Sequence, residues 1–175
     1  PSHYRRGWHI TATCGVFGAA AAAGRVLGLD AARMLDAFGI ASAQASGLVE
    51  TLGTMAKSVG VGNAARGGLM AALLAQEGMT GPALPLEGPR GFLRVTAEGA
   101  DPACLTEGLG EHWELPKNTY KPYPCGVVLN PVIEAALEIA ALPGFDPAQV
   151  TRAEVRGHAL LAERADRPAP AEGRE

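Results

Sequence analysis

Aromatic residues make up only 5% of this 175-residue chain, although 47% of it is hydrophobic. The apolar volume therefore comes from Ala, Val, Leu and Ile, and small side chains favour closely packed helices over aromatic-laden strands. A basic excess is missing too. The formal net charge is −3 and the isoelectric point about 5.8, so there is no cationic footprint for nucleic acid. The three cysteines, Cys14, Cys104 and Cys125, are odd in number and form no CxxC pair. Neither a zinc site nor a disulfide framework is expected, and a reduced, cytoplasmic setting fits. The longest small-apolar run, residues 14–24, is too short to span a bilayer. Neither an initiator Met nor an apolar signal core accompanies Pro1-Ser2-His3-Tyr4-Arg5-Arg6, so the chain reads as the central piece of something longer.

What is present is mostly helical in pattern. Thr11 and Thr13 are candidate caps for a helix running to Leu27, apolar on every side and expected to be buried all round, with Gly28 as its stop. Asp30 is a candidate N-cap for a second helix, with Ala31, Leu35, Phe38, Ile40 and Ala41 on its apolar side. Residues 47–61 are Gly-rich and read as a loop carrying Lys57. A third helix is expected over 64–76, opened by Asn63 and ended near Gly78. A Pro/Gly-rich connector, 81–99, and a short helix over 102–108 capped by Asp101 follow. Residues 113–123 look extended, because Pro116 and Pro122 forbid a long helix. Pro131 opens a helix over 132–141. Residues 149–161 alternate, with Thr151, Ala153 and Val155 opposite Arg152, Glu154 and Arg156, as a strand does. The expected fold is mainly α: part of a large all-helical domain over 1–110, then the start of a smaller α+β domain over 111–163. A tail over 164–175 has no core-forming pattern.

Three polar or cationic residues stand in small, Gly-rich surroundings. His9, in Gly7-Trp8-His9-Ile10-Thr11-Ala12-Thr13, precedes a helix start. An imidazole held there can move a proton near neutrality; equally, it can serve only to satisfy a loop carbonyl. Lys57, in Gly53-Thr54-Met55-Ala56-Lys57-Ser58, is either a solvated loop lysine or half of a carboxylate pocket beside a helix N-terminus. Lys121, in Tyr120-Lys121-Pro122-Tyr123-Pro124-Cys125-Gly126, is either presented by its flanking prolines or part of a structural turn. Gly60-Val61-Gly62-Asn63-Ala64-Ala65 imitates a dinucleotide fingerprint, but no buried strand precedes it. Cys125 has no neighbouring His in sequence and reads as structural.

Taken in order, GWHITATCGVFGAAAAAGRVLGLD, ASGLVETLGTMAKSVGVGNAARGGLMAALLAQEGMTGP, LEGPRGFLR and YKPYPCG resemble the MmgE/PrpD family, over about residues 7–143. The family contains 2-methylcitrate dehydratases and cis-aconitate decarboxylases. The resemblance implies a helical domain joined to a smaller α+β domain, an active site in the cleft between them, a homodimer, and no metal or organic cofactor. It implies catalytic roles for His9, Lys57 and Lys121, and substrate-binding roles for Asn63, Arg66 and Thr11. The implied chemistry is that of a lyase on a small di- or tricarboxylate. A 2-methylcitrate dehydratase is the first expectation, with a decarboxylase, an epimerase or a truncated non-catalytic copy as alternatives. Neither nucleic acid nor membrane is an expected partner. Two departures stand out. The family's upstream region, with a further Asp and His of the site, is not among these residues, so the segment by itself is expected to be inactive. Asn130-Pro131 stands where the family has His-Pro, and Asn cannot relay a proton.

Overall fold

Alanine and glycine let helix axes approach closely, and the computed structural model shows where this chain uses them. It describes residues 2–165, which fall into two compact units, one reaching Leu109 and the other starting at Gly110. Seven α-helices occur among the described residues. They are α1 (Ser2–Arg5), α2 (Ile10–Val26), α3 (Ala31–Ser42), α4 (Ala56–Gln76), α5 (Phe92–Thr96), α6 (Asn130–Ala140) and α7 (Ala159–Ala165). No strand is present among those residues, only an isolated antiparallel bridge between Trp8 and Leu48. The fold is mainly α, as expected.

In the first unit, α2, α3 and α4 enclose the core. Val16, Phe17 and Ala20 of α2 meet Ala37, Ile40 and Ala41 of α3 and Ala64, Ala71 and Ala75 of α4. Leu86 and Phe92 close one side. The seam between α2 and α4 depends on absent side chains. A Cβ on Gly68 would lie 2.5 Å from the Val16 carbonyl oxygen and 2.6 Å from the Ala20 nitrogen. The connector docks on α3 in the same way: a Cβ on Gly39 would lie 2.7 Å from the Gly81 Cα, and the Asp36 carboxylate accepts from the Gly81 N–H at 2.9 Å.

The helix ends follow the expected chemistry. Gly28 and Gly78 take φ of 70° and 91°. Leu29 N–H then donates to Gly24 O, and Met79 N–H to Leu74 O, closing Schellman motifs on α2 and α4. Asp30 caps α3 by accepting from the Arg33 N–H at 2.8 Å. The Arg33 guanidinium reaches across to the Gln76 carbonyl at the end of α4 (2.7 Å), tying two helix ends together.

Several expectations are corrected. The N-cap of α2 is His9, without a side-chain cap, and Thr11 and Thr13 lie inside the helix. Nor is α2 buried all round: Ile10 and Val26 are exposed, because α3 and α4 cover only one side of it. The third helix begins eight residues earlier than expected, at Ala56 rather than Ala64. Gly60 and Gly62 do not break it, because a helix docked through its small residues gains more from packing than two glycines cost in propensity. On α3, Leu35 is exposed while Ala37 is buried. The connector contains α5, which was not anticipated. Residues 102–108 form only a 3₁₀ turn, Pro102–Leu105, although Asp101 does cap it.

In the second unit, residues 113–123 include a 3₁₀ turn at Leu115–Lys117. Pro131 stands in the first turn of α6, as expected. The alternating stretch forms no strand: Pro147–Gln149 is a 3₁₀ turn and α7 begins at Ala159. A strand needs a partner for its N–H and C=O groups, and no ladder forms there among the described residues. The expected tail lies, from residue 166 onward, outside the described residues.

Candidate active site

His9 is held by backbone rather than by its own side chain. Its N–H donates to the Gly47 carbonyl (3.0 Å), and Val49 N–H donates to Gly7 O (2.7 Å), so residues 7–9 lie along 47–49. The approach is close: Gly47 has φ 128°, and a Cβ there would lie 2.5 Å from the Ala12 Cβ. The His9 carbonyl accepts from the N–H groups of Ala12 and Thr13, both at 3.0 Å, and from the Thr13 hydroxyl at 3.1 Å. With 7% exposure His9 is buried, at the point where α2 starts.

The position of Lys57 follows from the α2–α4 seam. A Cβ on Gly60 would lie 3.7 Å from the Ala12 Cβ, and one on Gly15 would lie 3.6 Å from the Ala64 Cβ. Further along, Gly67 and Gly68 meet Val16. Residue numbers rise together on both helices, so α2 and α4 run parallel and their N-termini share one end of the unit. His9 is three residues before Ala12 and Lys57 three before Gly60, so continuing the register by one turn brings these two residues to the same level. Sequence reasoning placed Lys57 in a loop; the structure places it in the first turn of α4, exposed, with no ion-pair partner among the described residues. Two helix N-termini, an imidazole and an ammonium at one end form an anion-attracting arrangement.

Of the remaining candidates in this unit, Thr11 shares this end. Thr11 is exposed in the first turn of α2. Asn63 and Arg66 are exposed on α4. At about 100° per residue, Arg66 is turned about 180° from Lys57 and Asn63 about 120°. Lys121 belongs to the second unit, where it is exposed. Its loop is fastened by Tyr123, whose phenol donates to the Glu134 carboxylate on α6 at 2.5 Å. That bond pushes the phenol up from its ordinary value. Cys125 lies nearby, its thiol 3.9 Å from the Asn130 side-chain oxygen. An open apolar groove of about 860 Å³ in this unit, between α6 and residues 150–158, does not include Lys121 in its lining.

One residue beside the site was missed. His3 lies in a stretch read only as the start of a chain. Its Nε2 lies 2.8 Å from the Thr13 hydroxyl, and its ring packs near Trp8 and Phe92 at centroid distances of 6.3 and 5.8 Å. Only long-range packing by α5 reveals it, so no local pattern would have found it. Burial holds the His3 ring below its ordinary 6.5, partly offset by a backbone hydrogen bond to Thr96. The folded state therefore favours the neutral ring, and the unfolded chain takes up a proton first as pH falls. Stability is expected to decline from near pH 6.5 down to the lower folded value, with no further loss from this group below it. Melting temperatures of the intact protein across that window should show the decline, and His3→Gln should flatten it. An identical slope in the variant would assign the effect to another group.

Among the described residues, no helix is long and apolar enough to cross a membrane. Residues 1–105 match the MmgE/PrpD N-terminal domain. A cis-aconitate decarboxylase of Aspergillus terreus is 37% identical over 157 residues, covering 85% of this chain and 31% of that protein. The cis-aconitate decarboxylase-like protein oryM of Aspergillus oryzae is 35% identical over 128 residues, 69% of this chain and 27% of that protein. Cis-aconitate decarboxylase of Homo sapiens is 31% identical over 134 residues, 75% of this chain and 28% of that protein. The chain thus spans less than a third of the length of these curated relatives. Matched over residues 1–105, with the GWHITAT segment leading into α2 and the Lys57 segment opening the parallel α4, this chain belongs to the MmgE/PrpD family.

Proposed function

We propose that this chain contributes part of the substrate site of a lyase that decarboxylates a small tricarboxylate of the cis-aconitate type. The observation that carries the reading is the shared N-terminal end of α2 and α4, which brings His9 and Lys57 to one level. Loss of CO₂ breaks a carbon–carbon bond and leaves its electron pair on the carbon framework, in conjugation with a remaining carboxylate. The Lys57 ammonium holds a carboxylate and offsets the developing charge. His9 delivers the proton to carbon. Thr11, in the first turn of α2, is assigned a supporting contact with substrate; Asn63 and Arg66, turned away from Lys57 on α4, are not. A homodimeric, cytoplasmic protein is part of the proposal and rests on the family resemblance.

Dehydration of a 2-methylcitrate-type substrate, the first expectation from the motifs, would use the same cation with His9 taking a proton. The names carried by the relatives favour decarboxylation. The deciding experiment supplies the intact protein with cis-aconitate and, separately, with 2-methylcitrate. Carbon dioxide released from cis-aconitate supports the proposal. New alkene absorbance from 2-methylcitrate without CO₂ transfers the assignment to dehydration. A folded protein inactive on both would remove the lyase reading and favour a non-catalytic copy.

A further inference from the structure

The Thr13 hydroxyl is fully buried and has two strong neighbours, the His9 carbonyl at 3.1 Å and the His3 Nε2 at 2.8 Å. A carbonyl can only accept. The Thr13 hydroxyl has one proton and two such neighbours, so it bridges the His3 ring and the His9 carbonyl. The result is a continuous link from the His3 ring through Thr13 Oγ1 to the His9 carbonyl. A second link runs alongside it, since the His3 carbonyl accepts the Trp8 N–H at 3.3 Å. His3 therefore grips the backbone of His9 from both sides, through Trp8 before it and Thr13 after it. Its ring is seated on Phe92, which packs edge-on to Phe17 in the core at 4.9 Å.

We propose that His3 is a positioning residue for His9, acting through Thr13 to fix the start of α2 and hence the place of the His9 ring at the level of Lys57. The idea rests on the lyase reading for its kinetic consequence and on geometry alone for its spectroscopic one. Displacing a proton-transfer group by a fraction of an ångström slows the chemical step more than binding. In the intact protein, His3→Leu and Thr13→Val are each expected to lower kcat about tenfold or more, with KM within about twofold. The double variant should be no slower than the worse single one, because both remove the same chain. Thr13→Ser keeps a hydroxyl and His3→Gln keeps a donor of similar reach, so both should retain most of the activity.

The companion measurement is the ring ¹⁵N spectrum of His9 in protein labelled at histidine, taken without substrate. His3→Leu should move the His9 signals, and His3→Gln should move them less. Unchanged His9 signals in a folded His3→Leu protein would overturn the proposal. So would a wild-type kcat in that variant, or losses that multiply in the double variant. A wild-type protein inactive on every polycarboxylate would count against the lyase reading alone, and the His9 spectrum would still decide the role of His3.

Discussion

Lys57→Ala in the intact protein is expected to reduce kcat/KM for its polycarboxylate by about 100- to 1,000-fold, the usual loss when one preorganised charge is removed from a developing anion. The expectation follows from the register of α2 and α4. Lys57 continues the stripe of Gly60 and Ala64 that faces α2, and one turn beyond the packed region that stripe meets the level of His9. Arg66 carries the same charge on the same helix but is turned about 180° away. Arg66→Ala is therefore expected to cost less than about tenfold. Steady-state kinetics on the two variants compare helix faces directly. Equal losses would show that the face toward α2 has no special standing, and that charge anywhere on α4 suffices.

Gly68→Ala should destabilise the protein by about 2 kcal/mol, within the range for overpacked cores. Helix propensity alone predicts the opposite, a gain of roughly 1 kcal/mol on replacing an interior glycine. Packing wins, because the added methyl would overlap the backbone of α2 at Val16 and Ala20, which cannot swing aside as a side chain can. Gly62 supplies the control. It lies in the same helix, and a Cβ there meets nothing within 4 Å. Gly62→Ala should be neutral or stabilising by about 0.5–1 kcal/mol. The denaturant midpoint should fall for Gly68→Ala and hold or rise for Gly62→Ala. Destabilisation by both would mean that α4 itself, rather than its seam with α2, is intolerant of side chains.

The caps of these helices were legible because they are local. Gly28, Asp30 and Gly78 act through hydrogen bonds to residues within a few positions, and their roles in the structure match their chemistry in the sequence. The start of α4 was not. Its early turns, with glycine at 60 and 62, look like a loop until α2 is placed beside them. The alternation over residues 149–161 failed for the converse reason: a pattern of faces becomes a strand only when another strand pairs with it. At the site, motifs singled out His9 and Lys57, but only the parallel packing of two helices distant in sequence brings them to one level. His3 lay beyond reach altogether, since its neighbours Thr13, Phe92 and Thr96 come from widely separated parts of the chain.

The seam between α2 and α4 also works as a ruler. Its marks are places where a side chain is missing, each set against particular residues of the other helix: Gly60 against Ala12, Gly15 against Ala64, Gly68 against Val16 and Ala20. Point changes on the outer face of α4 leave the ruler unchanged. Removing one residue between Lys57 and Gly60 would turn the lysine by about 100° and draw it back about 1.5 Å, with the whole core still in register. Evolution can therefore repaint the outside of this helix freely, whereas its first turn is closed to insertion and deletion.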